Sequence, residues 1–434
     1  MASRQSAIAR VMSGSGPSTW ADAVWIGEVD DGNLPVDDAQ LLDCAGFSAA
    51  RLMVRHGRVP RGFVHLPIVD GRVSAKALRE AASSLPVQPR ARGDVPTPPI
   101  SVVICTRDRP ALLEAALTSA LRLDYPTFEI VVVDNNPASN STRSIVESFG
   151  DATLSVVDAP IQGLSRARNV GLAAARHEIV AFTDDDVVVD PLWLRGIAEG
   201  FARAADVACV SGMVPSGELG SIAQGYFDRR VQWASSCESH LFALADERPG
   251  EPLFPFQVGR FGTGANFALR RDVAIELAGF DERLGIGSPT GGGEDIDMFV
   301  RVLLAGHRLA YEPSALVWHR HRSDIGSLTR QIRDYGTGLG AWITTLAMNP
   351  STAAMILRRI VPGIRHAWRM TRVDMPEADV PVDFARLSRV ERLAILAGPF
   401  ALLRASRSGA LARPLRSIPA SLGATPTQYV EVTT

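Results

Sequence analysis

Three consecutive carboxylates, Asp184-Asp185-Asp186, close the apolar run Ile179-Val180-Ala181-Phe182, which reads as a buried strand. Crowding that much negative charge at the end of a buried segment is costly unless a cation or a ligand compensates it. Side chains alternate across a strand, so Asp184 and Asp186 are expected on one side, where they can share a metal-diphosphate site, with Asp185 on the other. A solvated acidic turn is the competing reading of the triplet taken alone.

Other residues have the chemistry to accompany it. Asp134, closing Val131-Val132-Val133, can accept hydrogen bonds from a nucleobase or ribose, or cap an Asx turn. The stretch from Gln162 to Gly171 opens a helix with small residues and arginines, and Arg168 and Asn169 are the favoured contacts for a nucleotide or phosphate near its start. In Phe261-Gly262-Thr263-Gly264-Ala265-Asn266, the glycines let a ligand approach the backbone or simply make a turn. Gly291-Gly292-Gly293 reads as a mobile entry to Glu294-Asp295, which start a helix with a core stripe of Ile296, Phe299, Val300, Leu303 and Leu304. A carboxylate presented there can act as general base or serve only the helix dipole. His319 and His321 form a His-x-His on an extended segment and can supply a metal ligand.

These residues need elements to hold them. From Ile100 onward, strand and helix alternate: strands at 100–105, 129–133, 154–157, 179–182 and 207–212, helices at 110–121, 141–149, 164–175 and 191–203. The pattern implies a mostly parallel sheet with helices on both faces, and ligands bind beyond the carboxyl ends of such strands. Those ends read Thr106-Arg107-Asp108, Asp134-Asn135-Asn136, Asp158 and the aspartate triplet. No Gly-x-Gly-x-x-Gly or Gly-Lys-Ser/Thr follows the first strand, and Gly285-Ile286-Gly287 is discounted as a loop.

The 434 residues divide into a small α+β module at 1–95, a catalytic unit at 96–335 and a mainly helical extension at 336–434, with a proline-rich linker at 86–99. A net charge of −2 gives no electrostatic footprint for nucleic acid. Lys76 is the one lysine, so each arginine must be argued by position. Four cysteines without CxxC spacing fit a reducing cytoplasm and no zinc site. The N-terminal stretch lacks a signal-peptide core, and no run is long enough to span a bilayer. Leu393 to Leu403, broken by Gly398-Pro399 and flanked by arginines, either rests peripherally on the inner face of the membrane or packs on the protein, packing being favoured.

Together, Ser101 to Arg107, Val131 to Asn135, Gly163 to Asn169, Phe182 to Asp186, Gly262 to Asn266 and Glu294-Asp295, in this order, resemble a bacterial family 2 (GT2) glycosyltransferase of GT-A fold between about 98 and 330. The resemblance implies a hexosyltransferase-type enzyme that inverts the anomeric carbon in a single displacement. Its donor would be a nucleotide-diphosphate sugar of UDP or dTDP type and its acceptor a hydroxyl. Thr106, Arg107, Asp134, Arg168, Asn169, Asp184 and Asp185 would bind the nucleotide sugar, and Gly264 and Asn266 the acceptor or donor sugar. Asp186 and Asp184 would hold Mg²⁺ or Mn²⁺ with His319, or alternately His321, and Asp295 would be the base beside Glu294. A nucleotidyltransferase acting on a sugar phosphate and a non-catalytic nucleotide-sugar-binding protein are the rivals.

Overall fold

The computed structural model describes residues 7–12, 18, 20–87, 95–246, 251–257, 259–363, 365 and 383–412. Part of the expected linker, at 88–94, and of the C-terminal extension lie outside these. The central sheet takes its strands from runs of Val and Ile: β-branched residues suit the pleat, and burial on both faces makes the runs nearly continuous.

The N-terminal region holds β1 (Ala7–Ile8), β2 (Val24–Asp30), β3 (Ala39–Leu41), β4 (Ala49–His56), β5 (Val59–Pro67), β6 (Arg72–Val73) and α1 (Ala75–Ser83), with Ser74 as side-chain cap of α1. Then follow β7 (Ile100–Thr106), α2 (Pro110–Ala120), β8 (Phe128–Asp134), α3 (Ser141–Phe149), β9 (Leu154–Asp158), α4 (Leu164–Ala174), β10 (Ile179–Asp184), β11 (Val187–Val189), α5 (Trp193–Phe201) and β12 (Val207–Met213). Next come α6 (Ile222–Val231), β13 (His240–Phe242), β14 (Asn266–Arg270), α7 (Arg271–Glu276), α8 (Glu294–Leu304), β15 (Arg308–His319), α9 (Ile325–Met348) and α10 (Pro350–Leu357). The last described helix, α11, spans Phe384–Arg407.

Among the described residues the central sheet runs β11-β15-β12-β14-β10-β7-β8-β9, with β13 beside β15. Strands β10, β7, β8 and β9 are mutually parallel, as are β12 and β15; β14 lies antiparallel between β10 and β12. Alternation sorts the side chains into two cores. Ile100, Val102, Ile104, Ile130 and Val132 pack with Leu113, Leu117, Trp193 and Ile197, whereas Val103, Val131, Val133, Val180 and Phe182 pack with Ala167, Leu172 and α8. The sheet is thus covered on both faces by helices, as the alternation in sequence predicts.

Three expectations change. Helix α11 runs unbroken through Gly398-Pro399. The boundary expected between 335 and 336 falls inside α9. Nor is the triple glycine a loose spring: Gly291 is seated against Asp334, and Gly292 and Gly293 against Gly338 of α9, so closely that a Cβ on Gly338 would sit 2.5 Å from the Gly292 carbonyl carbon.

Candidate active site

The strand order brings the acidic triplet to its partners. Phe182 faces the α4–α8 core, so Asp184, two residues on, faces the same way and ends beside Arg168 of α4, at 3.4 Å. After the triplet the chain reverses into β11, whose Val187 pairs with His319 at the end of β15. That reversal sets His319 Nε2 3.3 Å from Asp186 Oδ1. Asp184, Asp186 and His319 can offer one ligand atom each, all within 4.8 Å of one another. Two carboxylates and an imidazole form a donor set that suits Mg²⁺ or Mn²⁺.

The electrostatics agree with that fit. Burial pushes the Asp184 carboxyl up to about 7 against the pull of Arg168, with Asp186, Asp185 and Glu294 raising it further. Burial lowers His319, which favours the neutral imidazole that a metal requires. Its Nδ1 lies 3.1 Å from His321 Nδ1, and His321 Nε2 lies 2.7 Å from Ser216 Oγ. His319 is therefore the histidine in the triad, and His321 lies behind it, positioned to orient its ring.

The second half of the site hangs on Arg168, itself buried. Its guanidinium meets Glu294 at 2.8 Å, Asp184 at 3.4 Å and the Gly264 carbonyl at 2.9 Å. Antiparallel β14 begins at the sheet's functional edge, so the 261–265 loop preceding it arrives there too. The Gly264 N–H donates to Asp295 Oδ2 at 2.7 Å, and the Ile296 N–H to its Oδ1 at 2.8 Å. Arg168, Asp184, Gly264, Glu294, Asp295 and His319 all line one cavity of about 480 Å³.

Several expected site residues serve the frame instead. Asn266 is fully buried; its Oδ1 accepts from Trp193 Nε1 and its Nδ2 donates to the carbonyls of Met213 and Ala315, so the amide is occupied and pins the loop. Asn169 is held by both the N–H and the carbonyl of Phe280. Asp185 is buried, accepting from Thr106 Oγ1 at 2.7 Å and Arg109 at 3.0 Å, which turns both it and Thr106 into the wall behind the triplet. Glu294 is buried in its ion pair with Arg168, and burial together with Asp295 pushes it up to about 6, so it orders the arginine while Asp295 stays half-buried at the cavity wall.

Asp134 is buried at the end of β8, and its Oδ1 caps an Asx turn by accepting the Asn136 N–H at 2.9 Å. Arg107 stands next to it, half-exposed, donating to the Asn135 carbonyl at 3.2 Å. Gly285-Ile286-Gly287 is a loop, but the Ile286 carbonyl takes the first N–H of α4 and its side chain lines the cavity. Sequence reading missed Arg109 and Arg322, which reach Asp186 Oδ2 at 3.4 and 3.6 Å. It also missed Tyr335, Trp342 and Arg359 in the cavity wall. Arg109 follows Thr106-Arg107-Asp108 directly and Arg322 follows His321, so both adjoin residues the sequence singles out; Tyr335, Trp342 and Arg359 come from segments that only folding brings near.

Residues 101–278 match the family described as Glycosyl transferase family 2. The succinoglycan biosynthesis protein ExoM of Rhizobium meliloti is 28% identical over 278 residues, covering 62% of this chain and 79% of that protein. The pre-mycofactocin glycosyltransferase of Mycobacterium tuberculosis is 29% identical over 330 residues, or 74% of this chain and 63% of its own length. Among solved structures, a mannosyltransferase from Pyrobaculum calidifontis in complex with GDP-Man and Mn²⁺ aligns with a TM-score of 0.41 at 18% identity, over 72% of this chain and 74% of that one.

Proposed function

Through residues 101–278 this chain belongs to glycosyl transferase family 2, and from that premise we propose that it moves a sugar from a nucleotide-diphosphate donor to an acceptor hydroxyl with inversion. The observation that carries this reading is the meeting, in one cavity, of the Asp184–His319 side of the triad with Asp295. The nucleotide lies across the carboxyl ends of β7 and β8, beside Arg107 and Asp134, with the diphosphate toward Asp184 and Asp186. Asp184, Asp186 and His319 would hold a divalent ion, which would supply positive charge for the departing diphosphate.

Asp295 is the base. Its Oδ2 is fixed by the Gly264 N–H, and its seat at the first turn of α8 leaves it open to the cavity. It takes the proton of the acceptor hydroxyl as the new oxygen–carbon bond forms, and the anomeric carbon–oxygen bond to diphosphate breaks on the opposite face. Arg168 ties this base-bearing turn to the metal-side carboxylate, so the two halves keep a set separation.

Asp295→Asn keeps the shape and, through its single amide oxygen, one of the two backbone N–H contacts from Gly264 and Ile296, but removes the base. Its transfer rate should fall on the order of 100- to 10,000-fold while UDP-, dTDP- and GDP-sugars still raise the melting temperature in Mn²⁺ as they do for wild type. Unchanged turnover in that variant would remove Asp295 from the mechanism. Donor stabilisation of wild type without any transfer would favour the non-catalytic nucleotide-sugar-binding reading, and no stabilisation of either protein by any donor would count against both readings.

A further inference from the structure

Beyond the carboxylates, the cavity continues along side chains that a sugar does not need. Phe256, Leu339, Trp342, Ile343, Ile356 and Ile395 form its walls, drawn from α9, α10, α11 and the segment before β14. Ile343 and Ile360 line it and are also 38% and 45% exposed, so the cavity opens to the surface between α9 and the end of α10.

Besides Tyr335 and the Arg230–Glu391 ion pair, two polar groups interrupt this apolar wall. The buried Trp342 Nε1 has no hydrogen-bond partner among the described residues. Arg359 donates to the carbonyls of Phe254 and Met355 and to no carboxylate among the described residues; burial and Arg358 lower its pKa. A buried unpaired donor and an arginine without a counter-charge suit an anionic, hydrogen-bond-accepting group.

The surface at the mouth is also apolar. On α11, Leu393, Leu396, Phe400 and Leu403 are 67%, 71%, 72% and 49% exposed at i, i+3, i+7 and i+10, while Leu387, Ala394, Gly398, Ala401 and Ala405 bury the opposite face. Leu357, the last residue of α10, and Val361 after it are exposed as well. Among the described residues the charges of this surface are of one sign: Arg404 and Arg407 stand at the end of the stripe, Arg358 closes α10, and the carboxylate of α11, Glu391, is buried against Arg230. An apolar stripe edged with arginine complements an anionic bilayer surface.

We propose that this face rests on an anionic lipid bilayer and that the acceptor is a hydroxyl-bearing membrane lipid, its apolar chain lying between α9, α10 and α11 and its polar linkage meeting Arg359 and Trp342. The inference rests on the sugar-transfer reading for what happens at Asp295, but not for the docking.

The full chain should co-sediment with phosphatidylcholine vesicles containing phosphatidylglycerol, far less with phosphatidylcholine alone, and less as salt is raised. The double substitutions Leu396→Glu/Phe400→Glu and Arg404→Glu/Arg407→Glu should each weaken that binding on the order of tenfold or more. Both pairs are surface positions, and retained thermal stabilisation by nucleotide sugar and Mn²⁺ verifies the fold. With a radiolabelled donor sugar and a total lipid extract, label should pass into the organic phase. Failure of wild type to bind anionic vesicles, equal binding by the variants, or a dimer that the leucine-phenylalanine variant dissolves would overturn the docking; label confined to water would overturn the lipid acceptor. Vesicle binding without any donor binding would support the docking while refuting sugar transfer.

Discussion

Asp184 sits where two demands meet, because the carboxylate that suits a cation is also held in a buried wall. In the metal-free chain its carboxyl rises to about 7, by burial first, and that of Asp185 to about 6, above an ordinary value of 3.8. A carboxyl raised by folding stabilises the fold in its protonated form, so this contribution is complete below about pH 4 and is lost as pH climbs through about 7. A bound divalent cation reverses the balance by favouring the carboxylate. Asp184 keeps 30% side-chain exposure, so solvent screens part of the effect. We expect Asp184→Asn to stabilise the metal-free protein by about 1 kcal/mol near pH 8 and by nothing near pH 4, and to lose the Mn²⁺-dependent rise in melting temperature. Thermal melts across that range with and without Mn²⁺ test this; a variant less stable at pH 8 or still stabilised by Mn²⁺ contradicts it.

The element that joins the turn before Asp295 to the C-terminal helices is α9, through three alternate glycines. Gly338 touches the Gly292-Gly293 turn before Asp295, while Gly336 and Gly340, one turn apart, meet the backbone of α11. Pro399 has no N–H for the carbonyl of Ile395, four residues earlier, and that carbonyl faces Gly340, where a Cβ would lie 2.0 Å from it. Gly398-Pro399 therefore makes a close helix crossing in place of a break. Gly340→Ala should cost about 1–3 kcal/mol through overpacking, read as a lower melting temperature. Gly338→Ala, pushing on the turn at 2.5 Å, should lower kcat while leaving donor affinity intact; loss of donor affinity in step with kcat would show general unfolding instead.

At the scale of the whole molecule, the N-terminal module is bonded to the catalytic unit rather than merely strung to it. Met12, Ile26 and Met53 share an apolar cluster with Met213, Leu219, Leu316 and Trp318. Arg55 of β4 forms a buried ion pair with Asp190, just past β11, and Arg51 pairs with Asp228. Asp228 in turn accepts from Ser216, which touches His321 behind His319, so an unbroken polar chain links the module to the triad. Arg55→Ala leaves Asp190 buried without its partner and should cost roughly 3–5 kcal/mol. Calorimetry should show the loss in one shared transition; a separate early transition of the module alone would show that the two unfold independently.

The residue strings near each strand end made the α/β alternation, the strand and helix limits of the 100–213 segment and the chemical types at the functional edge legible, because period and capping are local properties. Ser74 capping α1 and the span Ser141–Phe149 of α3 illustrate how far local chemistry reaches. What depended on pairing across long separations was not legible. Alternation parted Asp185 from Asp184 and Asp186, but not their partners: the reversal into β11 and its pairing with β15 set Asp186 against His319, and Asp185 meets Thr106 and Arg109. Asn169 and Asn266 carry ligand-type side chains, but distant backbone occupies them. The acidic triplet and Glu294-Asp295 were written locally; their meeting through Arg168, and the apolar path that leads away from them, arose only when strand order and the α9–α11 crossing brought remote surfaces into contact.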